Sequence, residues 1–260
     1  VLGRFAPAVT RATHLALAAA QRDDGLLPYK VTPDGPAFTQ IQTVTPLARS
    51  VWHHYLQSGR DLDYLARMYT AMARNDAWLA THRDTRGTGG VEAFCTFDTG
   101  HDLSPRFWHL PDRCHRGDAA RYDPDGRGLP FVAPDLTANV ACQRRHLARI
   151  AAELGEDPAP WQAKAAASRA ALYTQCWDAA TGMYYDRAAD GSFVGVDSDV
   201  LLRVLACEVA DDIVFAASLD RHLMNTTRFL SAAGFTSLAM DDPRFDGDHT
   251  RNSWAGPVNA

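Results

Sequence analysis

VEAFCTFDTGHDLSPRFW, residues 91–108, sets two carboxylates, Asp98 and Asp102, four positions apart in a loop broken by Gly100 and Pro105 and flanked by Phe94, Phe97, Phe107 and Trp108. A solvated loop has no reason to be so aromatic. Glycine lets backbone approach a ligand closely, proline stiffens the chain, and rings supply an apolar floor. A carboxyl among such rings loses hydration, which raises its pKa toward the range of a proton donor. Asp102 is the candidate acid on that ground; the plainer alternative is that both aspartates cap turns.

Outward from this loop, helical periodicity governs the chain. Arg4 to Arg22, with Phe5, Val9, Ala12, Ala16 and Ala19 at helical spacing, predicts a helix ending near Asp23-Asp24-Gly25. The following segment to Thr43 contains Pro28, Pro33 and Pro36 and is assigned to loop. Pro46 to Leu56 predicts a second helix, and Asp61 or Asp63 caps a third whose stripe is Leu62, Leu65, Met68, Met72 and Leu79. Asp135 is expected to cap a helix buried through Val140, Leu147, Ile150 and Leu154 and stopped at Gly155. Pro160 opens the next, with Trp161, Ala165, Ser168, Leu172 and Cys176 on one side. Met183 to Val194 reads as a hairpin turning at Asp190-Gly191, and one or two further helices span Ser198 to Leu230. Short connections make successive helices antiparallel hairpins.

Composition narrows the function classes. With 260 residues and 46% hydrophobic content the chain builds a substantial core, and a net charge of -5 without charged blocks leaves no nucleic-acid footprint. No apolar run reaches the roughly 18 to 20 residues of a membrane span. Five scattered cysteines without a C-x-x-C read as reduced thiols and favour a cytoplasmic setting. The chain begins at Val1 rather than Met, so a removed leader stays open. His101, His109, Cys114 and His115 are zinc-ligand types at the spacing of no standard site, and Asp123 to Gly126 lacks the closing Glu of a calcium loop. Neither metal nor cofactor is expected, and oligomeric state is not legible.

GHDLSPRF, Gly100 to Phe107, resembles the S-G-x-D-x-S-P-R segment of the (α/α)6-barrel glycoside hydrolases: trehalases, processing α-glucosidases, and mannosylglycerate and glucosylglycerate hydrolases. The order of further segments strengthens the resemblance: Q-x-D-D-G-L-L-P after the first helix, Val51 to Leu65, Trp78 to Asp84, Asp135 to Asn139, the Met183 hairpin, and N-S-W-x-G-P near the end. Thr99 and Asp98 depart from the usual Ser and Glu, which puts substrate detail in question more than reaction type. The resemblance implies an all-α toroid of antiparallel helical hairpins with a small β-hairpin insertion, acting on a small carbohydrate substrate. It makes Asp102 the general acid of an inverting reaction on α-glucosides or related small glycosides, and gives sugar contact to Trp254 and Gly256. Tyr29, Gln40, Gln42, Asp98, Gly100 and Arg106 are further substrate-site residues, Arg106 alternatively holding the loop through a carboxylate.

Inversion needs a second carboxylate roughly 6.5 to 9.5 Å from the acid. In the families resembled it is a Glu well beyond W-x-G-P, so the expectation is a single catalytic domain over residues 1–260 that lacks its C-terminal helices and its base. Asp98, Asp241, Asp242 and Asp248 are the reserve bases. Two rivals remain: another toroid enzyme (phosphorylase, lyase or sugar epimerase) and a non-catalytic carbohydrate-binding or helical interaction module.

Overall fold

The structure, a computed structural model, describes residues 5–248 and 254–256. Seven α-helices form among them: α1 (Pro7–Ala19), α2 (Leu47–Gln57), α3 (Leu62–His82), α4 (Pro134–Glu153), α5 (Ala159–Ala171), α6 (Val200–Ala206) and α7 (Asp212–Ser218). The centre is α4, which packs against α2, α3, α5 and α6 and is buried along nearly its whole length. One core joins Val51, Tyr55, Leu65, Met68 and Met72 to Leu147, Ile150 and Trp161. A second gathers α4, the end of α5 and α6 around Cys176, Tyr184, Leu201 and Val204. No helix among the described residues is long and apolar enough to cross a membrane.

Most helix boundaries follow the sequence chemistry. Asp61, of the two candidate caps, accepts from Tyr64 N at 3.0 Å. Asp211 likewise caps α7 through Val214 N, and Gly155 takes the left-handed φ of 79° that ends α4.

Five expectations are corrected. Asp135 is no cap: α4 begins at Pro134 after Ala133, and the Asp135 side chain turns inward to Arg106. The α1 stripe faces outward, with Phe5 80% and Val9 54% exposed. α1 docks instead through His14, which touches the Tyr64 hydroxyl at 2.6 Å and Ser50 Oγ at 3.1 Å. The segment assigned to loop contains a hairpin, β1 (Lys30–Thr32) with β2 (Gly35–Ala37), since Pro33-Asp34 makes a tight turn. Strands are also more numerous than one hairpin. Asp186–Arg187 and Phe193–Val194 pair as foreseen, but they extend a four-stranded sheet that begins with Glu92–Ala93 and Phe131–Val132. The helical reading of Ser198 to Leu230 fails at its end: the second helix there stops at a π turn, Leu219–Leu223, before strand Leu230–Ser231.

That sheet brings the entrance to the acid loop, the entrance to α4 and the Met183 hairpin side by side. It therefore gathers Asp98, Asp135 and Asp186 at one end of the helices.

Candidate active site

Two buried arginines organise the loop. Arg83, from the end of α3, donates through Nη1 and Nη2 to Asp98 at 2.6 and 3.2 Å. Its other N–H groups reach Ala119 O, Glu92 O and Cys114 Sγ. Asp98 also accepts from Ile41 N at 3.0 Å and Phe94 N at 2.7 Å. Arg106 donates to Asp186 through Nε and Nη2, both at 2.7 Å, to Asp135 at 2.9 and 3.1 Å, and to His101 Nδ1 at 2.8 Å. Those contacts use all five guanidinium donors.

Asp98 and Arg106 are thus the frame beneath the site, with neither side chain exposed. Arg106 takes the loop-holding role of its two. Asp98, with both oxygens occupied, is unsuited to the role of reserve base. The aromatic residues serve the same frame: Phe94 lies 4.0 Å from the Arg83 guanidinium and Phe107 4.7 Å from that of Arg106. Cation–π support of a desolvated guanidinium explains their presence.

Burial raises the pKa of Asp135, but Arg106 overrides it, and Arg203 at 3.7 Å adds to the effect, so the group is held at about 2. Asp186 is equally buried and has only the one arginine, so burial leaves it above the ordinary carboxylate range.

Asp102 stands on this frame without sharing its pairing. It is partly buried, and its Oδ1 is enclosed with no hydrogen-bond partner among the described residues. Burial raises its pKa, against the opposing pull of the Arg203 guanidinium. Leu103, next in sequence, adopts φ 61°, a left-handed conformation that costs a non-glycine residue on the order of 1 kcal/mol. Its carbonyl accepts from Trp108 Nε1 at 2.9 Å, which ties the loop down. Gly100 has φ 69°, and a Cβ there would lie 2.5 Å from Val44 Cγ2. The glycine is required for the loop to lie against residues 42–44.

Neutral His101 orients the wall beside Asp102. Since Arg106 can only donate, His101 Nδ1 accepts, and its proton resides on Nε2, 2.7 Å from Asp199 Oδ1. Burial lowers the His101 pKa and favours that neutral form. The Trp254 ring lies 4.8 Å from the imidazole, with the Arg203 guanidinium 5.2 Å from the indole. Gly256 approaches Asp246 so closely that a Cβ would meet its carbonyl at 2.3 Å. Its own carbonyl accepts from Ser237 N and Oγ at 2.7 and 2.6 Å.

Tyr29 and Gln42 line a neighbouring cavity of about 240 Å3, together with Val44, Asn75 and Gln143; Gln40 is buried. Trp254 therefore packs on His101, the neighbour of Asp102 in sequence, and Gly100 meets Val44, which lines the cavity of Tyr29 and Gln42. A larger hollow of about 770 Å3 between α4 and α5 contains none of these residues.

The other reserve bases lie in peripheral ion pairs or on the surface. Asp241 pairs with Arg228, Asp242 with Arg244 at 2.6 Å, and Asp248 is exposed. His101, His109, His115 and Cys114 do not converge: His115 is nearest Asp123, whereas Cys114 joins Cys95 and Asp98. Asp123 accepts from Asp125 N, as a turn does.

Arg83, Asp186, Asp199 and Arg203 were not singled out by sequence reasoning, which offered Asp135 only as a helix cap and His101 only as a zinc-ligand type. Arg83, Asp135 and Asp186 do lie in the short segments that carried the resemblance, but the strings do not say who pairs with whom. Asp199 and Arg203 gave no signal beyond a helical turn.

Helical hairpins that carry a carboxyl-bearing loop agree with the helical glycoside hydrolase domain that GHDLSPRF resembles. The chain belongs to the family described as mannosylglycerate hydrolase MGH1-like glycoside hydrolase domain, which it matches over residues 3–258. Its fold is similar to GH63 mannosylglycerate hydrolase from Thermus thermophilus in complex with Tris: TM-score 0.72, 20% identity, over 94% of this chain and 71% of that one. The same enzyme's complex with glucose gives 0.71 and 21%, over 94% and 70%. Neutral trehalase from Saccharomyces cerevisiae is more distant, at 0.58 and 13%, over 76% and 46%. Comparison with curated proteins finds no significant match.

Proposed function

We propose that the chain is the acid-bearing part of an (α/α)6 toroid that hydrolyses α-glucosides or related small glycosides with inversion. Asp102 protonates the glycosidic oxygen. Trp254 and the Gly256 backbone contact the sugar, and Tyr29 and Gln42 line the adjoining pocket. The observation that carries this reading is a partly buried carboxyl whose Oδ1 has no hydrogen-bond partner among the described residues, on a loop whose other charges are neutralised. Its raised pKa is what a general acid needs in order to hold its proton near the working pH. The base is assigned to a carboxylate outside these residues, since Asp98, Asp241, Asp242 and Asp248 are occupied or remote. The described residues form seven helices, against the twelve of a closed toroid.

The test is Asp102→Asn in the full-length protein, assayed on a panel including mannosylglycerate, glucosylglycerate and trehalose, with polarimetry of the first-formed anomer. Hydrolysis should fall by about 10²- to 10⁴-fold with folding unchanged, and the native enzyme should release the inverted anomer. Undiminished turnover would remove Asp102 from the reaction, and a retained anomer would remove inversion. Strict phosphate dependence would favour a phosphorylase.

A further inference from the structure

All five cysteines are free and buried. Two of them flank the segment that carries Asp102: Cys95 follows strand β3 (Glu92–Ala93), and Cys114 closes the loop at the start of the 3-10 turn His115–Gly117. Their sulfurs are 3.7 Å apart, in contact but unbonded, and a closure of about 1.7 Å reaches disulfide length. A backbone hydrogen bond from Thr96 N to Pro111 O at 3.0 Å already holds the two arms together.

The same cluster is poorly made for a metal. Cys95, Asp98 and Cys114 bring ligand atoms within 4.8 Å of one another, but Arg83 already supplies a cation there, on Asp98 at 2.6 Å and Cys114 Sγ at 3.4 Å. A divalent ion would have to expel it from a fully buried pair.

We propose that Cys95 and Cys114 are an oxidisable dithiol, whose disulfide ties together the two ends of the Asp102 loop. With a peroxide as oxidant, the Cys114 sulfur attacks one peroxide oxygen and breaks the O–O bond, and the thiol proton passes to the departing hydroxide, giving a sulfenic acid and one water. The Cys95 thiol then attacks the sulfenic sulfur, forming the S–S bond and releasing a second water. Two thiols are oxidised and one peroxide is reduced, so atoms and electrons balance. The covalent tie restricts the loop that presents Asp102. The pairing itself follows from the sulfur geometry and does not rest on the glycosidase reading.

The experiment is exposure of the folded native chain to hydrogen peroxide, followed by thiol titration in denaturant and non-reducing peptide mapping. The chain should lose two of its five thiols, yield a peptide linking Cys95 to Cys114, and recover both thiols with dithiothreitol. Cys95→Ser should abolish the linked peptide. The melting temperature of the oxidised chain should rise by about 5 °C, because the tie restricts the unfolded chain. Retention of all five thiols after prolonged exposure, or a bridge joining Cys142 to Cys207 instead, would overturn the proposal.

Discussion

Arg106→Met tests the frame beneath Asp102. The substitution keeps much of the side-chain volume but strips Asp135 and Asp186, both buried, of their common cation. A buried carboxylate left unpaired takes up a proton. Keeping a carboxyl of ordinary pKa 3.8 neutral at pH 7 costs about 4 kcal/mol, or about 8 kcal/mol for two. Relaxation and water entry reduce this, so a loss of roughly 4 to 6 kcal/mol is expected, in line with other broken buried pairs.

The sign of the pH dependence is the sharper criterion. In the native chain Asp135, held at about 2, contributes stability that is present above its unfolded pKa and lost as pH falls toward 2. In the variant both carboxyls have folded pKa values above their unfolded ones, so stability is lost as pH rises. Between pH 7 and pH 5 the deficit should shrink, by at most about 2.7 kcal/mol per carboxyl. Urea unfolding followed by tryptophan fluorescence at pH 5, 6 and 7 reads this directly. Arg106→Lys, which retains the charge but loses the fork, should lose roughly half as much. A deficit below about 1 kcal/mol at pH 7, or one that does not shrink on acidification, would refute the account of Arg106 as the shared counter-ion.

Asp102→Asn should leave stability within about 1 kcal/mol of native, because the carboxyl has no protein partner to lose. Since Asp102 must be protonated to act, native hydrolysis should decline as pH rises through its raised pKa, a limb that kcat-against-pH curves would lack if another group were the acid. His14 is lowered to about 4 by burial and by His54, so it contributes stability that is full above its ordinary 6.5 and is lost as pH falls toward 4. His14→Gln should flatten thermal stability across that window. Gly100→Ala, which sets a Cβ 2.5 Å from Val44 with φ at 69°, should cost about 1 to 3 kcal/mol. Val44→Ala should restore part of that loss, as a double-mutant thermal melt would read.

The helices were legible because their signals are local. Asp61, Gly155 and the Leu65, Met68 and Met72 stripe act within a turn or two of chain. The orientation of α1 was not, since it is decided by one polar residue, His14, finding Tyr64 and Ser50 across fifty and thirty-six positions. An apolar stripe states that a helix has a greasy side, not which neighbour will cover it. Asp135 misled for a related reason. An acidic residue just before an apolar helix has the appearance of a cap, and only the distant Arg106 turns it inward. At the site, the loop and Asp102 were visible as composition, whereas the division of labour between Asp98 and Asp102 was not, because it depends on Arg83.

That division is the physical core of the site. Asp98 and Asp102 are four residues apart in one loop, yet one is enclosed by a guanidinium and backbone N–H groups while the other meets none of these. Hydrogen bonds to a charged carboxylate favour ionisation, and burial without them favours the neutral acid. The same loop therefore presents one carboxyl closed off by its partners and one left open to protonation, by changing only what surrounds each. Arg106 makes the separation robust. With its five donors spent on Asp135, Asp186 and His101, it cannot swing toward Asp102 and lower that pKa by pairing. The frame serves the proton of Asp102 as much by withholding its cations as by holding the loop.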